Sequence, residues 1–376
     1  MKRILAFLCI LALLLIPVRA APEISAPSAV LMEASTGKIL YETDAHARLA
    51  PASVTKIMTL LLIMEALEDG TISWNDTVTA STAACQKGGS QVYLKEGEQM
   101  TMDEMVKSVV VASANDCACA LAEHIAGSES AFVDKMNQRA AELGMTDTHF
   151  VNCTGLDDAP EAKEHLTSAH DIAIMSRELL KHDDIRKYTT IWMDTVRNGE
   201  FGLTNTNKLV RFYDGTTGLK TGFTSSAGYC LAASALRDGM ELIAVVMHCA
   251  TSPDRFESAK ALLSHGFATY GLYRPEVALD AIPVTLGTCE TITPVLQSGT
   301  PVLMEKGQIS KAQCQIELAQ SIQAPVEQGQ ILGTVTVTAD GQTLAEIPIV
   351  APAAVEKLTW WQVTKELLCQ LCCARP

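Results

Sequence analysis

The chain has 376 residues, 48% of them hydrophobic, so it is long enough to bury a substantial core and to form two domains. Its formal net charge of −14 excludes a nucleic-acid binder that relies on a basic surface. No glycine-rich nucleotide-binding loop stands at a strand-to-helix junction. We therefore expect no nucleic-acid partner and no cofactor, and we look for chemistry carried by side chains.

The first residues have the pattern of a secretory signal peptide. Two basic residues precede an apolar run from Ile4 to Ile16, and Val18 and Ala20 place small side chains at a cleavage site. An apolar run of this length is short for a membrane span. This favours removal of residues 1–20 and a mature protein outside the cytoplasmic membrane, with a retained amino-terminal anchor as the alternative.

Cysteine usage does not indicate a disulfide framework. Of the 12 cysteines, Cys9 leaves with the signal peptide, and the remaining odd number cannot all pair. Several others lie in apolar contexts, where cysteine behaves as a small hydrophobic residue. We expect mostly free thiols.

The mature chain begins with a hairpin pattern. Apolar residues over 29–33 and 39–41 flank the turn residues 35–38, which predicts two antiparallel strands. A loop then leads to Pro51, which prevents a helix from continuing from upstream.

A helix with a serine and a lysine in its first turn follows. Ser53 and Lys56 share one face at its amino-terminal end, and the run from Ile57 to Leu67 is apolar almost all round, as in a helix buried in a core. The helix dipole and burial both disfavour the charged form of an amine at this position. A neutral Lys56 would accept the proton of Ser53 and activate it as a nucleophile.

A second polar pair lies between two predicted helices. Thr101 and Glu104 form a capping box that starts the first helix, and the second begins near Asp116. At the break, Ser113 and Asn115 are two residues apart and can point into one cavity. The hydroxyl can relay a proton, and the amide can bind a peptide group.

The third polar group lies on a predicted edge strand. Lys220 and Thr221 stand in the stretch from Gly218 to Thr224, where a glycine lets a substrate backbone lie alongside the strand. Lys220 offers positive charge to a carboxylate, and Thr221 offers a hydroxyl. A buried strand over 242–247 and a helix over 255–267 complete this part of the chain.

Beyond Pro275 the pattern changes to short apolar segments separated by turns. Ala339-Asp340-Gly341 is a hairpin signal, with a return strand over 344–350. We predict a β-rich domain over 276–352 that forms a small β-sandwich, after a catalytic domain over 21–275.

The final segment, 353–376, is predicted to form an amphipathic helix that associates with the membrane. Trp360 and Trp361 are typical of a membrane interface, and the polar residues are too many for a span. A helix docked on the protein itself is the alternative.

No metal site is predicted. Cys369, Cys372 and Cys373 have a C-x-x-C spacing, but zinc needs four ligands and no partner pair stands nearby. His165 and His170 lack the H-E-x-x-H arrangement of zinc peptidases.

Taken together, S-x-x-K, S-x-N and K-T-G in this order resemble the motif set of the serine penicillin-binding proteins and β-lactamases. The central residue of the second motif is Ala114, where the class A pattern has aspartate. The flanks, including Gly155-Leu156-Asp157 and Gly218–Gly222, resemble the D-alanyl-D-alanine carboxypeptidases. The likeness covers the chain from about Ala29 to Tyr270 and, more loosely, the remainder.

This resemblance implies an α/β fold, with an antiparallel sheet flanked by helices and then an accessory domain that holds the catalytic domain off the membrane. It implies that Ser53 attacks the bond between two D-alanines of a peptidoglycan stem peptide and that Lys56 is its base. The remaining roles that it implies are proton transfer by Ser113, substrate amide binding by Asn115, carboxylate binding by Lys220 and Thr221, an oxyanion site at the backbone amides of Ser53 and Phe223, and a second carboxylate contact from Arg255.

The resemblance also implies that penicillin acylates Ser53, because β-lactams mimic the D-Ala-D-Ala end. A β-lactamase is one alternative. It needs a deacylating glutamate, and Glu161 and Glu164 lie in the relevant interval but not in a recognisable context. A β-lactam sensor without turnover is the other alternative.

Overall fold

The computed structural model describes residues 21–297 and 301–373. The predicted signal peptide, residues 1–20, lies outside these ranges. The strands before residue 270 are β1 (Ser28–Glu33), β2 (Ile39–Thr43), β3 (Thr77–Thr79), β4 (Gln99–Thr101), β5 (Met193–Val196), β6 (Phe201–Thr204), β7 (Thr216–Thr224), β8 (Gly228–Arg237) and β9 (Met240–Cys249). The helices of this part are α1 (Lys56–Glu68), α2 (Thr82–Cys85), α3 (Met102–Val111), α4 (Asn115–Ala126), α5 (Glu129–Glu142), α6 (Ala169–Leu179), α7 (Arg186–Thr189), α8 (Leu209–Phe212) and α9 (Ser252–Thr269). Three 3₁₀ turns span Ala52–Thr55, Pro160–Glu164 and Asp183–Ile185.

The centre of this part is a five-stranded antiparallel sheet in the order β2-β1-β9-β8-β7. Its strands alternate between two cores, because successive side chains of a strand point to opposite faces. Val30 and Met32 pack into the core that contains α1, whereas Ala29 and Leu31 pack against the opposite core, beneath α9. Helices therefore cover both faces of the sheet, and the predicted antiparallel sheet flanked by helices is confirmed.

The predicted local elements are present. β1 and β2 form the hairpin, and α1 is buried along most of its length. Thr101 and Glu104 form the capping box of α3, with the hydroxyl and the carboxylate each accepting from the other residue's backbone. β7, which carries the K-T-G motif, lies at the edge of the sheet as expected.

The carboxyl-terminal part is β-rich. Its elements are β10 (Tyr270–Tyr273), β11 (Ile282–Thr285), β12 (Thr291–Ile292), β13 (Val295–Leu296), β14 (Val302–Glu305), α10 (Lys306–Ile309), β15 (Gln313–Leu318), β16 (Ile322–Gln323), β17 (Ile331–Ala339), β18 (Gln342–Val350) and α11 (Trp360–Cys373). A four-stranded and a three-stranded sheet, with the orders β13-β18-β17-β15 and β12-β11-β16, each contribute to a small apolar core. β17 and β18 are joined by Asp340 and Gly341, both at positive φ, as in the primed turns of tight hairpins.

Two features near the predicted domain limits differ from the sequence reading. β10 lies before residue 275, yet it pairs with β14. The terminal helix begins at Trp360 rather than at 353, because Val355 is buried in the β-rich core and its backbone bonds Val326. Among the described helices, none combines the length and apolar character needed to cross a membrane.

Candidate active site

Three motif side chains meet at the start of α1. Ser53 lies in the 3₁₀ turn Ala52–Thr55, and Lys56 is the first residue of α1. The Lys56 Nζ atom lies 3.1 Å from Ser53 Oγ, 2.5 Å from Asn115 Oδ1 and 2.8 Å from the carbonyl oxygen of Thr154. The sequence therefore identified the serine, the lysine and the amide of one site, but not the Thr154 carbonyl.

The surroundings of Lys56 suit a neutral amine. Its side chain is fully buried, and this burial lowers the pKa of Lys56 to about 7. A neutral amine has two N–H groups and one lone pair. The Asn115 and Thr154 oxygens can only accept, whereas the Ser53 hydroxyl can donate. With both N–H groups engaged by the two carbonyls, the lone pair is left for the proton of Ser53.

The S-x-N motif lies between α3 and α4, as predicted. Ser113 is 3% exposed and has φ +64°, which is uncommon for a residue with a side chain. Asn115 is fixed on both sides, because its Nδ2 donates to the carbonyl of Gly88 at 2.7 Å and its backbone N–H donates to the carbonyl of Ser90 at 2.7 Å. The loop over 88–90 therefore holds the amide against Lys56.

The K-T-G strand supplies a second buried amine. Lys220 is 1% exposed and donates to the carbonyl of Thr221 at 3.0 Å. Burial lowers the pKa of Lys220 well below its ordinary value, and the nearby basic groups Lys56 and Arg255 lower it further. Thr221 donates its hydroxyl hydrogen to Thr206, with 2.7 Å between the oxygens. A carboxylate arriving here would meet an amine with little competing negative charge.

Gly222 brings the edge strand against the nucleophile. A Cβ atom on this residue would lie 2.6 Å from the carbonyl oxygen of Pro51 and 3.1 Å from the backbone nitrogen of Ser53. Only glycine permits this approach without a shift of the backbone. The next residue, Phe223, is 52% exposed and stacks on Tyr229, with 4.2 Å between ring centroids.

Arg255 reaches the same strand from α9. Its Nη1 atom donates to the carbonyls of Gly222 at 2.9 Å and Cys230 at 3.4 Å, and its guanidinium lies over the Tyr229 ring. The side chain is 9% exposed, and its Nε atom has no hydrogen-bond partner within the described residues. Arg255 thus braces the strand that carries the motif, and its role as a carboxylate partner stays a prediction.

Sequence reasoning missed the residues that support the nucleophile turn. The backbone N–H of Val151 donates to His165 Nδ1, so Nε2 carries the proton and donates to the Thr55 hydroxyl at 2.7 Å. That hydroxyl in turn donates to the carbonyl of Ala52 at 2.8 Å. Burial lowers the pKa of His165 to about 4, so the ring is neutral at pH 7. Both ring nitrogens are therefore used in hydrogen bonds inside the protein.

A β-lactamase would need a deacylating glutamate at the site, and a zinc peptidase would need a set of metal ligands. Glu161 and Glu164 are exposed in the 3₁₀ turn Pro160–Glu164. A backbone carbonyl, that of Thr154, occupies the third position around Lys56. Within 21–297 and 301–373, no three histidine, cysteine, aspartate or glutamate side chains group as metal ligands, and the carboxyl-terminal cysteine side chains lie outside the described part.

A serine beside a buried lysine, facing an edge strand that presents lysine and threonine, defines a serine acyl-transfer enzyme of the penicillin-binding type. Residues 17–251 match the D-alanyl-D-alanine carboxypeptidase family, and residues 267–357 match the family described as the C-terminal domain of penicillin-binding protein 5. The chain therefore belongs to the D-alanyl-D-alanine carboxypeptidase family of serine peptidases.

Individual relatives agree with this assignment. The chain is 43% identical over 339 residues to the D-alanyl-D-alanine carboxypeptidase DacF of Bacillus subtilis (strain 168), covering 88% of this chain and 86% of that protein. Penicillin binding protein 5 from Haemophilus influenzae superimposes with a TM-score of 0.77 at 30% identity, covering 90% of this chain and 99% of the other. Penicillin-binding protein D2 from Listeria monocytogenes, solved in an ampicillin-bound form, gives 0.60 at 29% identity, covering 66% and 100%.

Proposed function

We propose that this carboxypeptidase removes the terminal D-alanine of peptidoglycan stem peptides through an acyl-enzyme on Ser53. The observation that carries the proposal is the position of Lys56 Nζ, buried and 3.1 Å from Ser53 Oγ with carbonyl acceptors on its other sides. This arrangement supports a neutral general base aimed at the nucleophile.

The proposed reaction begins when Lys56 accepts the hydroxyl proton of Ser53 and the serine oxygen bonds to the carbonyl carbon between the two D-alanines. The oxyanion is stabilised by the backbone N–H groups of Ser53 and Phe223, and one such donor typically contributes about 3 kcal/mol. The C–N bond then breaks as Ser113 gives its hydroxyl proton to the leaving D-alanine nitrogen and is reprotonated by Lys56, which becomes neutral again. In the second half of the reaction, Lys56 accepts a proton from water as the water oxygen bonds to the ester carbon. That proton passes to Ser53 Oγ as the ester C–O bond breaks, and the acid product leaves.

Substrate binding in this proposal involves the other predicted residues. Asn115 orients the substrate amide, and Lys220 and Thr221 hold the terminal carboxylate, with Arg255 close to the same strand. Burial lowers the pKa of Lys220 in the free enzyme, whereas a bound carboxylate favours its protonated form. Carboxylate binding is therefore expected to raise the pKa of Lys220.

Penicillin should acylate the same serine. The relative solved with ampicillin bound shares the fold of 66% of this chain, which supports the proposal. A fluorescent penicillin and a peptide ending in D-Ala-D-Ala, followed together, test the assignment. Stable labelling with release of D-alanine is expected, and Ser53→Ala should abolish both.

Other outcomes would support the alternatives. Labelling without D-alanine release indicates a sensor, and rapid loss of the label with antibiotic turnover indicates a β-lactamase. Labelling that survives in Ser53→Ala would overturn the nucleophile assignment. The variant should unfold at the same temperature as the parent, because the Ser53 side chain is only partly buried.

We further propose export by residues 1–20 and attachment to the outer face of the membrane through α11. Trp360 and Trp361 are 87% and 85% exposed, an arrangement that suits burial in a lipid interface. The β-rich part then lies between this attachment and the catalytic part and holds the site within reach of peptidoglycan.

A further inference from the structure

A carboxylate outside the three motifs links the two loops that hold the site. Glu129 is the first residue of α5, and its Oε2 atom lies 2.5 Å from Lys87 Nζ. Its Oε1 atom accepts from the backbone N–H of Cys153 at 3.3 Å and from the thiol of Cys153 at 3.2 Å. The thiol of Cys119 lies 3.9 Å from Oε2. One side chain thus connects α5 to the segments around residues 87 and 153.

Each segment carries a backbone carbonyl that holds a motif side chain. Lys87 precedes Gly88, whose carbonyl accepts from Asn115 Nδ2 at 2.7 Å. Cys153 precedes Thr154, whose carbonyl accepts from Lys56 at 2.8 Å. Both carbonyls lie one peptide away from a group bound to Glu129. Movement of that carboxylate would therefore be passed to the amide and to the base together.

Charge and burial make the link strong. Lys87 and Glu129 are 23% and 22% exposed at their side chains, so their ion pair is less screened than a surface pair. Burial acts to raise the pKa of Glu129, but its contacts with Lys87 and Cys153 together outweigh this and hold that pKa below the ordinary value. The carboxylate is therefore ionised at neutral pH.

Packing alone does not fix the distance between the two segments. Lys87, Gly88, Glu129 and Thr154 line one cavity of about 510 Å³. An open space between loops leaves their separation less determined than a close-packed interface would. The carboxylate spans this space.

We infer that Glu129 is a positioning residue that holds Lys56 and Asn115 in register for attack by Ser53, an inference that rests on the proposed function. It acts through the Gly88 and Thr154 carbonyls and touches no substrate. Its effect belongs to the acylation step, because the geometry it sets is that of the base and the nucleophile.

The test uses the full chain with Glu129→Gln, which keeps the shape of the side chain and removes its charge. A matched control is Glu65→Gln. Glu65 is 28% exposed and forms an ion pair with Arg139, which lies on α5 as Glu129 does. The rate of acylation by fluorescent penicillin, kcat and KM for a D-Ala-D-Ala peptide, and the unfolding temperature are measured for each. Misplacement of a catalytic group by a fraction of an ångström supports an expected loss of about tenfold or more in acylation rate and kcat.

KM should change by less than about threefold in Glu129→Gln, and Glu65→Gln should acylate within about twofold of the parent despite a similar fall in unfolding temperature. Lys87→Met should reproduce the acylation defect, whereas Lys87→Arg, which keeps the positive charge, should retain most of the parent acylation rate. The double variant Glu129→Gln/Lys87→Met should acylate no more slowly than either single variant. These two lysine variants also test the inference if Glu129→Gln does not fold.

Acylation by Glu129→Gln within about twofold of the parent would overturn the inference. So would a loss equal to that of Glu65→Gln, or fully additive losses in the double variant. The proposed function fails separately, when the parent protein shows no label on Ser53.

Discussion

The catalytic part and the β-rich part of this chain differ in the kinds of side chain that they bury. Within the described residues, buried polar and charged side chains lie between Ser28 and Thr269 and include two lysines, Lys56 and Lys220. The two cores beyond residue 275 are lined by aliphatic side chains such as Val335 and Ile349. The cores of the β-rich part therefore contain aliphatic side chains, whereas the catalytic part also buries groups for which burial is unfavourable.

Two of those groups, Lys56 and Lys220, lie at the site. Burying an ammonium is costly, and this cost lowers the pKa values of both Lys56 and Lys220. Ala52 and Ser113 have φ values of +48° and +64°, conformations that typically cost about 1–3 kcal/mol each. Backbone strain and desolvation are therefore both present where the chemistry is proposed.

Among substitutions that test the difference between the two parts, Gly222→Ala is expected to change the acylation rate most. The added Cβ would press on the Pro51 carbonyl and on the backbone nitrogen of Ser53, which separates the edge strand from the nucleophile. A displacement of about 1 Å predicts a fall of about a hundredfold in the acylation rate. Gly202→Ala is the control, because its Cβ would meet nothing within 4 Å. Equal rates for the two variants would contradict the close approach.

A smaller but directional effect is expected from pH. The proposed base is neutral Lys56, with a pKa of about 7, so acid removes the reactive form. Acylation should fall about tenfold for each pH unit below 7 and level off above about 8. A penicillin acylation series between pH 5 and 9 measures this limb. A flat profile would show that the burial of Lys56 does not control its protonation.

A third experiment tests the difference between the two parts by destabilising the β-rich part. Ile349→Ala opens a cavity in a core of the β-rich part, where Ile349 is fully buried, and typically costs about 2–5 kcal/mol. Thermal unfolding should show an earlier transition, while the acylation rate at 25 °C stays within about twofold of the parent. A large fall in acylation would mean that the two parts are coupled.

The smallest effect on fold and activity is expected at α11. Replacing Trp360 and Trp361 by serine removes two exposed rings, so the unfolding temperature and peptide turnover should not change. Co-sedimentation with phospholipid vesicles should nevertheless be lost. Vesicle binding that persists in this double variant would contradict attachment through these tryptophans.

The sequence was sufficient to predict the elements that carry the site. Pro51 and the apolar run after it place Ser53 at a helix start, and the stretch from Gly218 to Thr224 indicates the edge strand β7. These are local signals, read over a few residues. They also placed Ser113 and Asn115 at a helix break, which the structure confirms.

The supporting contacts were not predictable in the same way. The partner of Lys56 at Thr154 is 98 positions away and is a backbone carbonyl, a group that nearly every residue has. Gly88 holds Asn115 through the same kind of atom. Glu129 follows Ser128, which caps α5, so its sequence context indicates only a helix start. Such roles arise from tertiary placement and leave no mark in composition or spacing.

The reactivity of the buried thiols reports where the fold opens. The eight cysteines whose side chains are described are free, and burial raises the pKa of Cys117 well above its ordinary value, that of Cys230 to about 11 and that of Cys249 to about 12. Thiolates are the reactive species, so these groups are inert toward alkylating reagents while the fold is closed. On unfolding, each returns to a pKa of about 8.5 and becomes reactive. The order in which the cysteines are alkylated under mild denaturation would therefore map which layers of the catalytic part separate first.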